Sequence, residues 1–452
     1  MNLTTLDKQL IAEAWTSPEM YPNLEALCDF GSRFAGSPSE LLARDFIAEK
    51  FRAYGLSDVR LDPFDYLGWW RGSCALKIVA PRERAFDAIS LVYSPATPAG
   101  GVCAPVVDVG MGTEKEYARK QDAIKGKIVL CSSANPETGR APHRREKYGW
   151  AVQAGAIGFI YMRHLPGGLP ETGSLRPGKL GEIPAVAVSY EAGFAIKRLI
   201  EKGETIAALD VQNDAKPTVA HHVVGDVPGE TDELIVIGAH YDGHDISQGA
   251  NDDATGTCMV LELARLFAPL RGQLRRSLRF IAFACEELGV LGSTEYVGHH
   301  LGEMNQIALM INLDSAVGGG PKGFTYCGIE ELEAVFKGIA KETGYALKLS
   351  EKVVTASDNF PFFMEGVPAV LMTAKTDDPA LGRGFGHTAM DTLDKVNRRD
   401  MHECAMVGAR ALLRLAQCET LPRRRTPAEI KAILISQELD EALRAQGKWK
   451  FG

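Results

Sequence analysis

Residues 233–256 read ELIVIGAHYDGHDISQGANDDATG. After Glu233 the run is apolar without alternation, stops after six residues and delivers the chain into His240, Tyr241 and Asp242. A short continuous apolar run of this kind fits a strand buried on both faces. Three more runs share the form: SLRFIAFACEE at 277–287, IALMINLD at 307–314 and VPAVLMT at 367–373. Helical patterns near Thr255–Leu266 and Glu330–Thr343 alternate with them. Buried strands alternating with helices predict an α/β fold with a largely parallel sheet.

Outward from this core the rhythm changes. Residues 39–54 (SELLARDFIAEKFRAY) carry apolar positions at helical spacing, and Gly55 supplies the stop. The stretch YSPATPAGG at 93–101 reads as a linker. Between it and Pro217 lie the short strands APVVDVG, KGKIVLCSS, AIGFIYM and IPAVAVSY, separated by turn-rich segments and by helical patterns at 143–155 and 190–203. These describe a small α+β module. The expected organisation is therefore residues 1–101 as the first part of the main domain, 102–217 as an insert, 218–420 as the remainder, and 421–452 as a polar helical tail.

Composition excludes several classes. The 452 residues carry 50 Lys and Arg against 58 Asp and Glu, a net charge of −8, which lacks the basic face of a nucleic-acid binder. No apolar run approaches the roughly 18 to 20 residues of a membrane span. The N-terminus, with Asp7 and Glu13, does not read as a signal peptide. Nine scattered cysteines with no C-x-x-C pair fit a reduced, cytoplasmic setting.

In open α/β sheets, ligands bind at the carboxyl ends of the strands. Here those ends carry His240, Asp242, Glu286, Glu287 and Asp314; Asp252 precedes a helix, and His387 lies in the glycine-rich loop GRGFGHTAMD at 382–391. Singly each is weak, since an Asp such as Asp252 could simply cap the next helix. Jointly, nitrogen and oxygen donors without thiolates suit zinc in a hydrolytic role. One catalytic zinc needs about three protein ligands, so His240, Asp252, Glu287, Asp314 and His387 suffice for two ions if a carboxylate bridges. Glu286, beside a ligand, is placed to act as general base, and Asp242 to orient the His240 imidazole.

These motifs resemble those of the co-catalytic zinc exopeptidases of the bacterial leucyl aminopeptidase type, most closely their carboxypeptidase Q branch. The matching stretches are GAHYDGHDISQGANDDATG, FACEELGVLGS, INLDS and GHTAMDTLDKV, with GSRFAGS at 31–37 and ASDNFPF at 356–362 in support. GKIVLCSS, QAGAIGFIYM and IPAVAVSYEAG resemble the protease-associated insert of several members. The resemblance implies a three-layer αβα sandwich with a mixed, mostly parallel sheet. It implies that Asp252 bridges two Zn²⁺, that His240 and Asp314 complete one site and Glu287 and His387 the other, and that Glu286 is the base. Short peptides are the implied substrates, with aminopeptidase action favoured over dipeptidase or carboxypeptidase action.

Two positions depart from the family pattern. Asn251 replaces a further Asp, and Asn359 replaces a common His, which puts a catalytic role for position 359 in doubt. His244 is not needed as a ligand and is expected in a surface loop. A glutaminyl-cyclase-like single-zinc transferase and a metal-free receptor are the remote alternatives, and a homodimer is the default oligomer. His402-Glu403 lacks the second histidine of a zincin helix, Met406 standing in its place.

Overall fold

The computed structural model describes residues 3–137, 139–314, 316–374 and 382–452. Ser315, the last residue of the INLDS match, lies outside them. The described chain divides into two compact units. The first holds residues 1–65, 219–386 and 390–437; the second holds 66–218, 387–389 and 438–452.

The sheet that carries the site has eight strands. In chain order they are β1 (Ser57–Trp70), β2 (Asp214–Val227), β3 (Thr231–His240), β4 (Arg276–Phe283), β5 (Ile307–Asn312), β6 (Lys322–Thr325), β7 (Lys348–Ser350) and β8 (Ala369–Ala374). Across the sheet the order is β1-β2-β4-β3-β5-β8-β6-β7. Pairings β3–β4, β3–β5, β5–β8 and β6–β7 are parallel, while β2–β4 and β6–β8 are antiparallel. The sheet is mixed and mostly parallel, as the apolar runs predict. Leu234 through His240 are all buried, so over that stretch neither face of β3 meets water.

Register sets the site. His240 lies beside Phe283 of β4, and Gly238 lies beside Asn312 of β5. His240 and Asp314 therefore leave the sheet at the same level, and Glu286 and Glu287 follow three and four residues past Phe283. Helix Thr255–Phe267 packs against β3 and β4, and helix Arg398–Gln417 packs on it in turn. His402 and Glu403 belong to that second helix, where His402 Nδ1 donates to the Ala14 carbonyl at 3.0 Å, a structural contact.

The second unit is built on another eight-stranded mixed sheet. Its central strands Val102–Asp108, Ile128–Ser132, Gly158–Met162 and Ala185–Val188 run parallel, and antiparallel strands close both sides. Val129, Phe159, Tyr161 and Ala187 bury one face, and Leu130, Ile160, Val186 and Leu209 the other. This unit begins at Tyr66 rather than Val102, because strands Cys74–Ala80 and Ile206–Val211 pair within it. The tail also differs from the single helix expected over its last thirty residues. Helices Pro427–Ser436 and Asp440–Ala445 bury Ile430, Leu434 and Leu443, so it is a packed segment rather than a solvated one.

Candidate metal centre

At the end of β3, His240 is fully buried. Its Nδ1 donates to the carbonyl of Asp242 at 3.0 Å, with the Asp242 carboxylate at 3.5 Å. A carbonyl can only accept, so the hydrogen sits on Nδ1 and Nε2 presents its lone pair. That nitrogen is buried without a hydrogen bond, 3.3 Å from Asp252 Oδ1. Two acceptors facing one another at this distance require a positive charge between them. Burial alone disfavours an imidazolium here, yet Asp242 and Asp252 raise the His240 pKa well above its ordinary value. The same carboxylates that would hold a proton on Nε2 would hold a metal cation there.

Asp242 does more than face the imidazole. Its two carboxylate oxygens accept the backbone N–H groups of Glu286 at 3.0 Å and Glu287 at 3.1 Å. The chain enters that turn through Cys285 in a left-handed conformation, φ 61°, which turns both glutamates off the sheet edge. Asp242 therefore ties Glu286 and Glu287 at one strand end to His240 at the next. The carbonyl, rather than the carboxylate, makes the shorter contact with the ring.

The loop after β3 is held from the amino-terminal segment. Arg33, from the GSRFAGS stretch, is wholly buried and donates to the carbonyls of Tyr241 at 2.8 Å, Gln248 at 2.5 Å and Gly249 at 2.9 Å. Asp391 accepts the N–H groups of Asn251 and Asp252 at 2.9 and 3.0 Å. Burial and the neighbouring Asp252 charge hold the Asp391 carboxyl above its usual range against those two bonds. The helix-capping role open to Asp252 falls to Asp253, whose Oδ1 accepts the Gly256 N–H at 2.9 Å. Asp253 also stands with His240 and Asp314 in a buried group whose donor atoms all lie within 4.8 Å of one another. Sequence reasoning did not single out Asp253, although its place in the Asp-Asp pair was the available signal.

Asp314 is oriented by Ser357, which donates to Oδ2 at 2.5 Å and accepts from Asn312 Nδ2 at 2.6 Å. The ASDNFPF stretch thus contributes Ser357 to the site, together with the fully buried Asp358. Burial and the Glu286 charge raise the Asp358 carboxyl well above its usual range. Asn359 points its amide at Cys327 Sγ, 3.3 Å away, which is a core contact.

His244 corrects the expectation of a surface loop. It is buried, with Nε2 2.8 Å from Glu287 Oε2, and so adds a nitrogen donor beside that carboxylate. His387 lies in the second unit. There its Nδ1 meets the Thr172 carbonyl at 3.1 Å, and Thr172 N donates back to the His387 carbonyl at 2.8 Å.

The donor chemistry fits divalent cations. Asp242, Asp252, Asp253, Glu286, Glu287, Asp314 and Asp358 are each at most 5% exposed, and they belong to one unit with His240 and His244. Buried charges of one sign are costly unless paired or coordinated. Arg33 spends its hydrogen bonds on carbonyls, so it leaves most of this charge for cations to balance.

Comparison with known proteins agrees with this chemistry. Residues 222–412 match the model of Peptidase family M28, and residues 90–196 match the PA domain. Carboxypeptidase Q of Mus musculus is 25% identical over 418 residues, spanning 89% of this chain and 87% of its own. The aminopeptidase from Aneurinibacillus sp. strain AM-1 superposes with a TM-score of 0.71 at 27% identity, covering 93% of this chain and 98% of that one. BSAP, a zinc aminopeptidase from Bacillus subtilis, gives a TM-score of 0.68 at 25% identity, with 89% and 96% covered. On these matches the chain is a peptide-bond hydrolase: residues 222–412 form a domain of peptidase family M28, the metallo-exopeptidases, and residues 90–196 a PA domain.

Proposed function

We propose that the chain is a two-zinc aminopeptidase acting on short peptides. His240, Asp252 and Asp314 would hold one ion, and Asp252, Glu287 and His387 the other, with Asp252 shared. Bound zinc supplies Lewis acidity toward the scissile carbonyl and lowers the pKa of water. Glu286 takes the proton of the attacking water and returns it to the leaving amine as the C–N bond breaks. Asp242 fixes the backbone of Glu286 and Glu287 through their N–H groups, so base and ligand keep a constant spacing.

The observation that carries the polarity is the surplus of buried carboxylate. With Asp358 counted as neutral, six buried acids still outweigh two divalent ions and Arg33. A site left negative favours the α-ammonium of a peptide N-terminus and disfavours a C-terminal carboxylate. Two of the similar solved structures are named as aminopeptidases.

A tripeptide supplied free, N-acetylated and C-amidated, with products read by mass spectrometry, tests this reading. Release of the N-terminal residue from the free and amidated forms, with no cleavage of the acetylated form, is expected. Cleavage abolished by amidation alone would overturn it in favour of carboxypeptidase action.

A further inference from the structure

The second unit contains a feature that the peptidase chemistry above does not use. Thr172 is fully buried in the loop that follows strand Gly158–Met162, and it pairs with His387 in both directions. Its N–H donates to the His387 carbonyl at 2.8 Å, and its carbonyl lies 3.1 Å from His387 Nδ1. Because a carbonyl cannot donate, the imidazole hydrogen is on Nδ1. The lone pair is then on Nε2, the nitrogen a metal would take. The reciprocal bond holds the backbone of His387, itself in a left-handed conformation at φ 62°.

Thr172 is in turn locked by its own unit. Its Oγ1 accepts from Arg71 Nη2 at 3.1 Å. The next residues form a braced strand-like segment. Val92 N donates to the Gly173 carbonyl at 3.1 Å, and Leu175 N donates to the Val92 carbonyl at 3.0 Å. Arg144 Nε donates to the Ser174 carbonyl at 3.3 Å, and Arg145 Nη2 donates to Ser174 Oγ at 2.8 Å. Gly173 has φ +137°, and a Cβ there would fall 1.8 Å from the Arg144 guanidinium. These braces come from helix Arg144–Gln153 and from the segment around Val92. They fix the backbone that directly follows the Thr172 carbonyl.

We infer that Thr172 is a positioning residue for His387: its carbonyl fixes the tautomer and orientation of that imidazole, the one the proposed function assigns to a zinc ion. This rests on the reading of His387 as a ligand. Carbonyls and carboxylates behind ligating histidines tune metal affinity by about 10- to 100-fold.

Zinc affinities of the full chain, measured by competition with a chromophoric chelator, test the assignment without recourse to turnover. Gly173→Ala shifts the Thr172 carbonyl and leaves every proposed ligand in place. It should weaken one of the two zinc ions by about tenfold or more and leave the other unchanged. Thr172→Val keeps volume but removes the Arg71 acceptor, and should weaken the same ion by a smaller factor. It serves if the glycine variant fails to fold, and circular dichroism of the metal-free proteins reports that. His387→Gln is the reference and should lose that ion. Both affinities unchanged in the folded Gly173 and Thr172 variants, with one ion lost in His387→Gln, would overturn the positioning role alone. Two ions retained at full affinity in His387→Gln would overturn the ligand assignment itself, and the positioning role with it.

Discussion

Glu40 offers a quantitative check on the packing behind the metal loop. It lies in the first turn of helix Pro38–Tyr54 and is buried against Tyr241, the residue after His240. Tyr241 Oη stands 2.8 Å from the His221 carbonyl and 2.5 Å from Glu40 Oε1. The Tyr241 hydroxyl has one hydrogen for these two acceptors, and a protonated Glu40 carboxyl would supply a second and leave the Tyr241 hydrogen to His221. Burial, together with the nearby Asp242 charge, raises the Glu40 pKa from 4.5 to about 7. At about 1.4 kcal/mol per pH unit, that rise is worth about 3 kcal/mol. The folded pKa lies above the unfolded one, so the contribution is complete below pH 4.5 and drains as pH rises to about 7. Glu40→Gln keeps the shape and donates to Tyr241 from its amide, but it does not titrate. In metal-stripped protein, urea unfolding at pH 4.5 and pH 8 should show the variant gaining about 3 kcal/mol relative to wild type. A difference between the two proteins that stays constant within about 1 kcal/mol would refute the neutral Glu40.

Glu286→Gln should bind both zinc ions with unchanged affinity and lose about 10²- to 10⁴-fold in kcat, measured on a chromogenic peptide substrate. Asp242→Asn leaves one acceptor for two N–H groups, which costs about 1–3 kcal/mol, so kcat should fall and zinc dissociation should rise together. His222, buried against Phe64 and accepting the Ala284 N–H at 3.3 Å, has its pKa pushed down to about 3 by burial. Its folded pKa is below the unfolded 6.5, so wild type should lose about 2 kcal/mol between pH 6.5 and 4.5 that His222→Phe does not, as read by denaturant titration. Chelation should lower Tm, by the equivalent of about 2.7 kcal/mol for each zinc site and about 5 kcal/mol for both, against protein held at a hundredfold excess of zinc over Kd, as seen by calorimetry.

The elements that position the site are legible in the sequence because burial on both faces leaves a plain mark. β3, β4, β5 and β8 are apolar runs, and the ends of the first three are where the acids stand. The five ligand candidates and Glu286 follow from that edge and from the ordered motifs. What does not show is which side chain meets which backbone group. The Asp242 clamp depends on a left-handed Cys285, for which no glycine stands as a signal. His244 looks like a loop residue until Arg33 draws the loop inward by its carbonyls. Asp253 could be read only as the neighbour of Asp252, since its cap and its closeness to His240 arise from the loop's irregular backbone. The second unit's start at Tyr66 is hidden because Ser57–Trp70 is one uninterrupted strand, with no composition shift where the units divide.

The Arg33 cradle also bears on how the molecule is made. The guanidinium is synthesised 208 residues before the Tyr241 carbonyl and 216 before that of Gly249. On a ribosome adding about 5–20 residues per second, the helices around Arg33 wait some ten seconds or more for the loop they will organise. Contacts of such long sequence separation close late and fold slowly. The nascent amino-terminal segment therefore emerges with a cation and an apolar helix face that have no partners, a natural client for chaperones until the central strands arrive.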